Sequence, residues 1–278
     1  MQSLHDFMPD FCPVKRRLLS CTAAAAARGA VAVGWSAPWL GALAQAKPRV
    51  IRIAAASDLK FALARVVALY QQQNDVKIEL NFGSSGNFAR QILQGLPVDI
   101  FMSADEDWAF KVADAGLSTD RGSVYALGRL ALLVPSASAL PLDGQLVGLR
   151  AHWGAVRKLA IANPEHAPYG RAAQQVLQKL GLWDLAKTKL ALGENIAQAT
   201  QFVTSGAAQA GVCALSLAVA PPVAALTRHV AIAENLHAPL QQRMLLLRAA
   251  SPAAQQLYLY LQSSAVKSQW LQYGLMTA

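Results

Sequence analysis

Across residues 50–116 the hydrophobic pattern switches repeatedly between the period of a strand and the period of a helix, and this alternation restricts the fold more than any other feature. Val50-Ile51-Arg52-Ile53-Ala54-Ala55 is a short β-rich run ending at Ser57. Leu59, Leu63, Val66, Val67 and Tyr70 then recur at helical spacing. Val76–Phe82 alternates as a strand and is broken by Gly83-Ser84-Ser85-Gly86. A second helix is predicted from about Asn87 to Gln94, a third strand at Val98–Met102, and a third helix from Asp105 to Ala115. Alternation of this kind implies a mostly parallel sheet covered by helices. In open sheets of this class, ligands bind beyond the carboxyl ends of the strands. Ser57 and Ser84-Ser85 fall at those ends, each opening a helix.

A second α/β series follows. Leu130–Pro135 and Leu159–Ala162 read as strands, with a helix near Leu146–His152 between them. Helices are predicted from Gly170 to Leu180 and from Ile196 to Thr204, then a buried strand at Ala210–Ala214. Met244–Leu247 is a late return strand, and residues 252–272 form one or two closing helices. The pattern predicts two lobes joined by two crossings: 47–127 plus 229–278 as lobe I, and 128–228 as lobe II.

Residues 1–46 read as a signal peptide rather than as fold. Lys15-Arg16-Arg17 is a basic start, an Ala-rich apolar stretch follows, and Ala44-Gln45-Ala46 fits the small-x-small cleavage pattern. The mature chain is expected to begin near Lys47, with cleavage after Ala44 as the close alternative. Arg16-Arg17 before Leu18-Leu19 leaves both the Sec and the twin-arginine routes open. Export leaves Cys213 as the one cysteine of the mature chain, which excludes an internal disulfide. Cys213 lies in an apolar run and is expected to be a buried small hydrophobe.

The net charge is +9, but the basic residues are dispersed, without the stripe and interleaved aromatics of a nucleic-acid binder. A basic surface of this kind draws in anions over long range. No His/Cys/Asp/Glu group has metal-ligand spacing, and neither a P-loop nor a dinucleotide fingerprint is present.

The strand-to-helix turns carry the chemistry. A helix start offers free N–H groups and a partial positive charge, and so holds an anion without Lys or Arg. Ser57 and Ser85 add hydroxyls at two such starts; Tyr169-Gly170 and Asn195-Ile196 open two more. Each serine by itself could be an ordinary N-cap.

Several segments, in order along the chain, are similar to the periplasmic molybdate-binding proteins. They are Ile53–Ser57, Asn81–Gly86, Ala89–Ile92, Pro97–Asp105, Asn163–Gly170 and the closing Trp270–Gly274. The resemblance covers nearly the whole mature chain. It implies a type II periplasmic binding protein with two lobes, no enzymatic activity and no cofactor. The implied ligand is molybdate or tungstate, delivered by the closed form to the membrane permease of an ABC importer. It also implies a monomer that binds no nucleic acid. Carried over by position, Ser57 and Ser85 supply hydroxyl and backbone donors, and Tyr169 and Ile196 supply backbone N–H groups. All of these address ligand oxygens, and none ligates the metal atom.

The sequence departs from that family at two places. Ala214 stands where some relatives have a ligand Tyr, and Tyr169 is expected to compensate. One residue is extra near Ser57, so Ser57 or Asp58 could hold the ligand position. A carboxylate facing a dianion is repulsive. Asp58 is therefore expected to offer its N–H with the side chain turned away, or to share a proton with the ligand; alternatively it simply favours the helix dipole. Asp99 and Asp105 read as turn and cap residues, Arg90 as a surface tether, and His152 and His166 as loop histidines. Sulfate, phosphate or a small organic acid are alternative ligands. A serine hydrolase using Ser85 and His166 is the alternative from another class; Asn87 stands where the nucleophile elbow needs its last Gly.

Overall fold

The computed structural model describes residues 50–276; the expected signal peptide and its cleavage site lie outside them. The chain opens with β1 (Val50–Ala56), one 3-10 turn at Ser57–Leu59 and α1 (Lys60–Gln71). Leu59, Leu63, Val66, Val67 and Tyr70, the helical-period set, are all buried. β2 (Lys77–Gly83), α2 (Ser85–Leu93), β3 (Ile100–Ser103), α3 (Glu106–Asp114) and β4 (Ser123–Gly128) follow. The chain then crosses into β5 (Leu130–Pro135), α4 (Val147–Ala151), β6 (Leu159–Ala162) and α5 (Pro168–Lys179). Next come α6 (Trp183–Ala186), β7 (Leu190–Gly193), α7 (Ile196–Thr204) and β8 (Ala210–Ala214). The short α8 (Leu215–Ala218) and α9 (Pro221–Ala224) lead to β9 (Thr227–Ala231), and the chain returns through β10 (Leu240–Leu246) to α10 (Pro252–Tyr260) and α11 (Ser264–Gln272).

The strands form two five-stranded sheets, ordered β2-β1-β3-β10-β4 and β7-β6-β8-β5-β9. In each, the first three strands are parallel, and the fourth, β10 or β5, pairs antiparallel with the strand on either side of it. Four of the five strands in each sheet therefore share one direction, as the alternation predicts, and one strand beside the crossings, β10 or β5, runs back against them and makes the sheet mixed. The expected boundary at 228/229 cuts through β9, which stays paired to β5 as far as Ala231. The return crossing therefore lies in residues 232–239.

Local chemistry explains the helix starts. Ser84 caps α2 by accepting from Asn87 N, Asp105 caps α3 through Trp108 N, and Asn195 caps α7 through Gln198 N. Pro168 occupies the first turn of α5, where a missing N–H costs nothing. Among the described residues, no helix is long and apolar enough to cross a membrane.

Candidate functional site

The register of the first sheet sets one wall of the site. Ala56 pairs with Gly83 across β1 and β2, and Ala55 with Met102 across β1 and β3. Ser57, Ser84-Ser85 and Ala104 consequently leave neighbouring strand ends together. In the second sheet, Ala162 pairs with Gly193, which puts the starts of α5 and α7 side by side.

Direct hydrogen bonds join these two edges. The Ser57 hydroxyl donates to Asn195 Oδ1 at 3.0 Å and accepts from Ala197 N at 3.1 Å, seating it on the first turn of α7 beside Ile196. Gly86 N donates to the His166 carbonyl at 2.9 Å. A Cβ on Gly86 would stand 2.7 Å from that carbonyl, so glycine permits the approach. Tyr169 Oη donates to Asp58 Oδ2 at 3.1 Å, and the Ser216 hydroxyl of α8 donates to the Asp58 carbonyl at 2.9 Å.

Ser57, Asp58, Tyr169 and Ile196 therefore meet at one junction, all of them buried. Ser85 is fully buried at the start of α2, and its hydroxyl accepts from Ala104 N at 2.9 Å. Its side chain makes no bond to the other four; its neighbour Gly86 makes the contact across, to the His166 carbonyl. The first-turn N–H groups of Ser85 and Ile196 have no acceptor within their own helices.

Asp58 is not turned out to solvent. Its Oδ2 accepts from Gln242 Nε2 at 2.7 Å as well as from Tyr169, while Oδ1 has no partner. Burial pushes this carboxyl up to about 7, against the lowering effect of the two hydrogen bonds. Tyr169 is raised well above the usual phenol range, first by burial and then by Asp58. Gly128, the last residue before the first crossing, lies against this cluster: a Cβ there would sit 2.4 Å from Tyr169 Oη and 2.8 Å from Gln242 Nε2.

A more exposed set of contacts surrounds the junction. Arg171 of α5 pairs with Asp105 at the α3 cap. Asn87 donates to Glu194, and Arg90 donates to Asn87. His166 corrects its reading as a surface loop residue, because it is buried and its Nδ1 lies 3.0 Å from the Ser84 hydroxyl. Its Nε2 is 3.7 Å from Glu194. The Ser85–His166 pair that a hydrolase would need is not formed.

Asp99 and Asp105 keep the structural roles read for them: Asp99 accepts from Arg52 N and Ser251 N, and Asp105 caps α3. Cys213 is buried, and desolvation pushes its thiol up to about 12. Among the described residues, no group of three or more His, Cys, Asp or Glu is placed to hold a metal ion.

Gln242 was missed by sequence reasoning. It occupies an inward position of β10 between Leu240 and Met244, fully buried. A polar side chain in the inward phase of a strand was the available signal. Asn195 and Ser216 are ordinary polar residues in sequence, and only tertiary contact brings them to the junction.

The chain matches the bacterial extracellular solute-binding protein family over residues 51–276. It belongs to that family. This solute-binding protein is 35% identical to the molybdate-binding protein of Azotobacter vinelandii over 215 residues, 76% of this chain and 83% of the relative. It is 33% identical to the molybdate-binding protein of Rhodobacter capsulatus over 220 residues, 78% of this chain and 84% of that one. The solved structure of the Azotobacter vinelandii periplasmic molybdate-binding protein superposes with a TM-score of 0.75 at 26% identity, covering 82% of this chain and 99% of that one. Membership makes the chain a binding protein rather than an enzyme, and an extracellular one.

Proposed function

We propose that this solute-binding protein captures molybdate or tungstate in the periplasm and presents it, as a closed monomer, to the permease of an ABC importer. Ser57, Ser85, Tyr169 and Ile196 hold the ligand oxygens, and Asp58 stands beside them. The observation that carries the reading is the meeting of uncharged helix starts at one buried junction between the two sheets: Ser57 against the first turn of α7, and the start of α2 against the loop before α5. Neutral N–H and O–H donors can replace the hydration shell of a dianion without a matching cation. The likeness to two molybdate-binding proteins that the chain covers for more than four-fifths of their length supports the choice of anion. Residues 1–46 act as the export signal, and the two crossings serve as the hinge on which the lobes close.

A thermal-shift screen of molybdate, tungstate, sulfate, phosphate and chromate tests the ligand. At a thousandfold excess over Kd, the bound anion should stabilise the fold by about 4 kcal/mol. A clear shift with another anion, and none with molybdate or tungstate, overturns the assignment. Ser85→Ala should weaken binding by about 1–3 kcal/mol, the loss of one donor to a charged group.

A further inference from the structure

We propose that the cleft binds a proton together with the anion, and that Asp58 carries it. This rests on the oxyanion reading above and adds a second, cationic ligand to the same site.

Asp58 is buried among more acceptors than donors. Around Asp58, the Tyr169 hydroxyl and the Gln242 amide are the side-chain donors: both reach Asp58 Oδ2, and the amide also donates to Tyr169 Oη at 3.0 Å, so their hydrogens are all committed. Two acceptors, Asp58 Oδ1 and Gln242 Oε1, are buried without a partner. The cluster is short of hydrogens before any ligand arrives. A tetrahedral dianion brings only acceptors and negative charge, so it deepens the deficit. One proton on the Asp58 carboxyl supplies the missing donor and removes a like charge from beside the ligand.

No neighbouring cation supplies that charge instead. Among the described residues Asp58 forms no ion pair. Lys60, two positions on, lies over the Phe61 ring. Arg129, next to Gly128 in the crossing, pairs with Glu234, and Arg243, next to Gln242, pairs with Glu106. The titratable groups near Asp58 are Tyr169 from α5 and Tyr125 from β4, both pushed further toward the neutral phenol by burial. Tyr125 donates to the Ser103 carbonyl at 3.3 Å. From α8, Ser216 engages only the Asp58 carbonyl.

Once the lobes part, Asp58 loses Tyr169 and meets water, so its affinity for protons returns to the ordinary carboxylate range. Buried in the junction, it is raised to about 7. The closed state therefore holds more protons than the open one. The gain is full below the ordinary carboxylate range and is lost as pH rises through about 7. Between pH 6 and pH 8 the Kd should increase about tenfold.

Isothermal titration of the full mature protein with molybdate, at pH 6 in two buffers of different ionisation enthalpy, counts the protons. The expected result is uptake of about one proton per anion. Asp58→Asn should bind the anion with no proton uptake and with a Kd that is flat across the same pH range. Anion binding by the unsubstituted protein without uptake at pH 6 overturns the proposal and leaves the function standing. Should Asp58→Asn fail to fold, infrared difference spectra of the unsubstituted protein decide: a protonated carboxyl band must grow on adding molybdate, and its absence overturns the proposal. If molybdate gives no binding while sulfate does, the ligand reading fails, and the proton count with sulfate still decides the role of Asp58.

Discussion

The two sheets are held together by two kinds of contact, and they differ in almost every physical respect. At the centre, Asp58, Tyr169 and Gln242 are buried and share hydrogen bonds through one carboxylate oxygen. Around it, each contact has one open partner: the Arg171 side chain, paired with buried Asp105, is 35% exposed, and that of Glu194, beside Asn87 and buried His166, is 59% exposed. Desolvation makes each central hydrogen bond expensive to lose, whereas water readily replaces a partner at the rim. The centre is thus expected to contribute more to the strength of the junction than the rim.

This contrast can be broken by substitution. The largest effect is expected from Gly128→Ala, whose Cβ would stand 2.4 Å from Tyr169 Oη and force the buried cluster apart. A loss of about 2–4 kcal/mol in urea unfolding is expected. Gln242→Leu removes the closer donor to Asp58 and should cost about 1–3 kcal/mol in the same measurement, with the Asp58 carboxyl rising further. Ser57→Ala breaks the seat on α7 and should weaken anion binding by about 1–3 kcal/mol by titration calorimetry. Arg171→Ala should cost no more than about 1 kcal/mol and lose its effect in high salt. Glu194→Gln should fall within about 0.5 kcal/mol of the parent. A rim substitution that costs more than Gln242→Leu would refute the division between centre and rim.

Much of this architecture was legible in the residue pattern, and the gaps have physical reasons. Leu159–Ala162, Ile196–Thr204 and Ala210–Ala214 stand where periodicity put them, because each is an unbroken apolar or amphipathic run. β4, β7 and β9 escaped notice. β7 and β9 are the edge strands of the second sheet, where burial imposes little alternation: Leu192 of β7 is exposed, and β9 carries Arg228 and His229. The turn serines were visible as strand-end residues, since polar groups at helix starts have a local reason to be there. The partner of Asp58 was not: Gln242 lies 184 positions away, and no local rule connects the two. The burial of His166 likewise depends on the approach of α2, which its own loop does not encode.

β10 lies between β3 and β4 in the first sheet, although it is made more than a hundred residues later. The second sheet draws all its strands from one uninterrupted stretch, Leu130–Ala231. During synthesis the later half can finish its hydrogen-bond ladder first, while the earlier half waits with a gap in the middle of its own. The first sheet therefore cannot close until residues 240–246 have been made, so its completion waits for almost the whole chain.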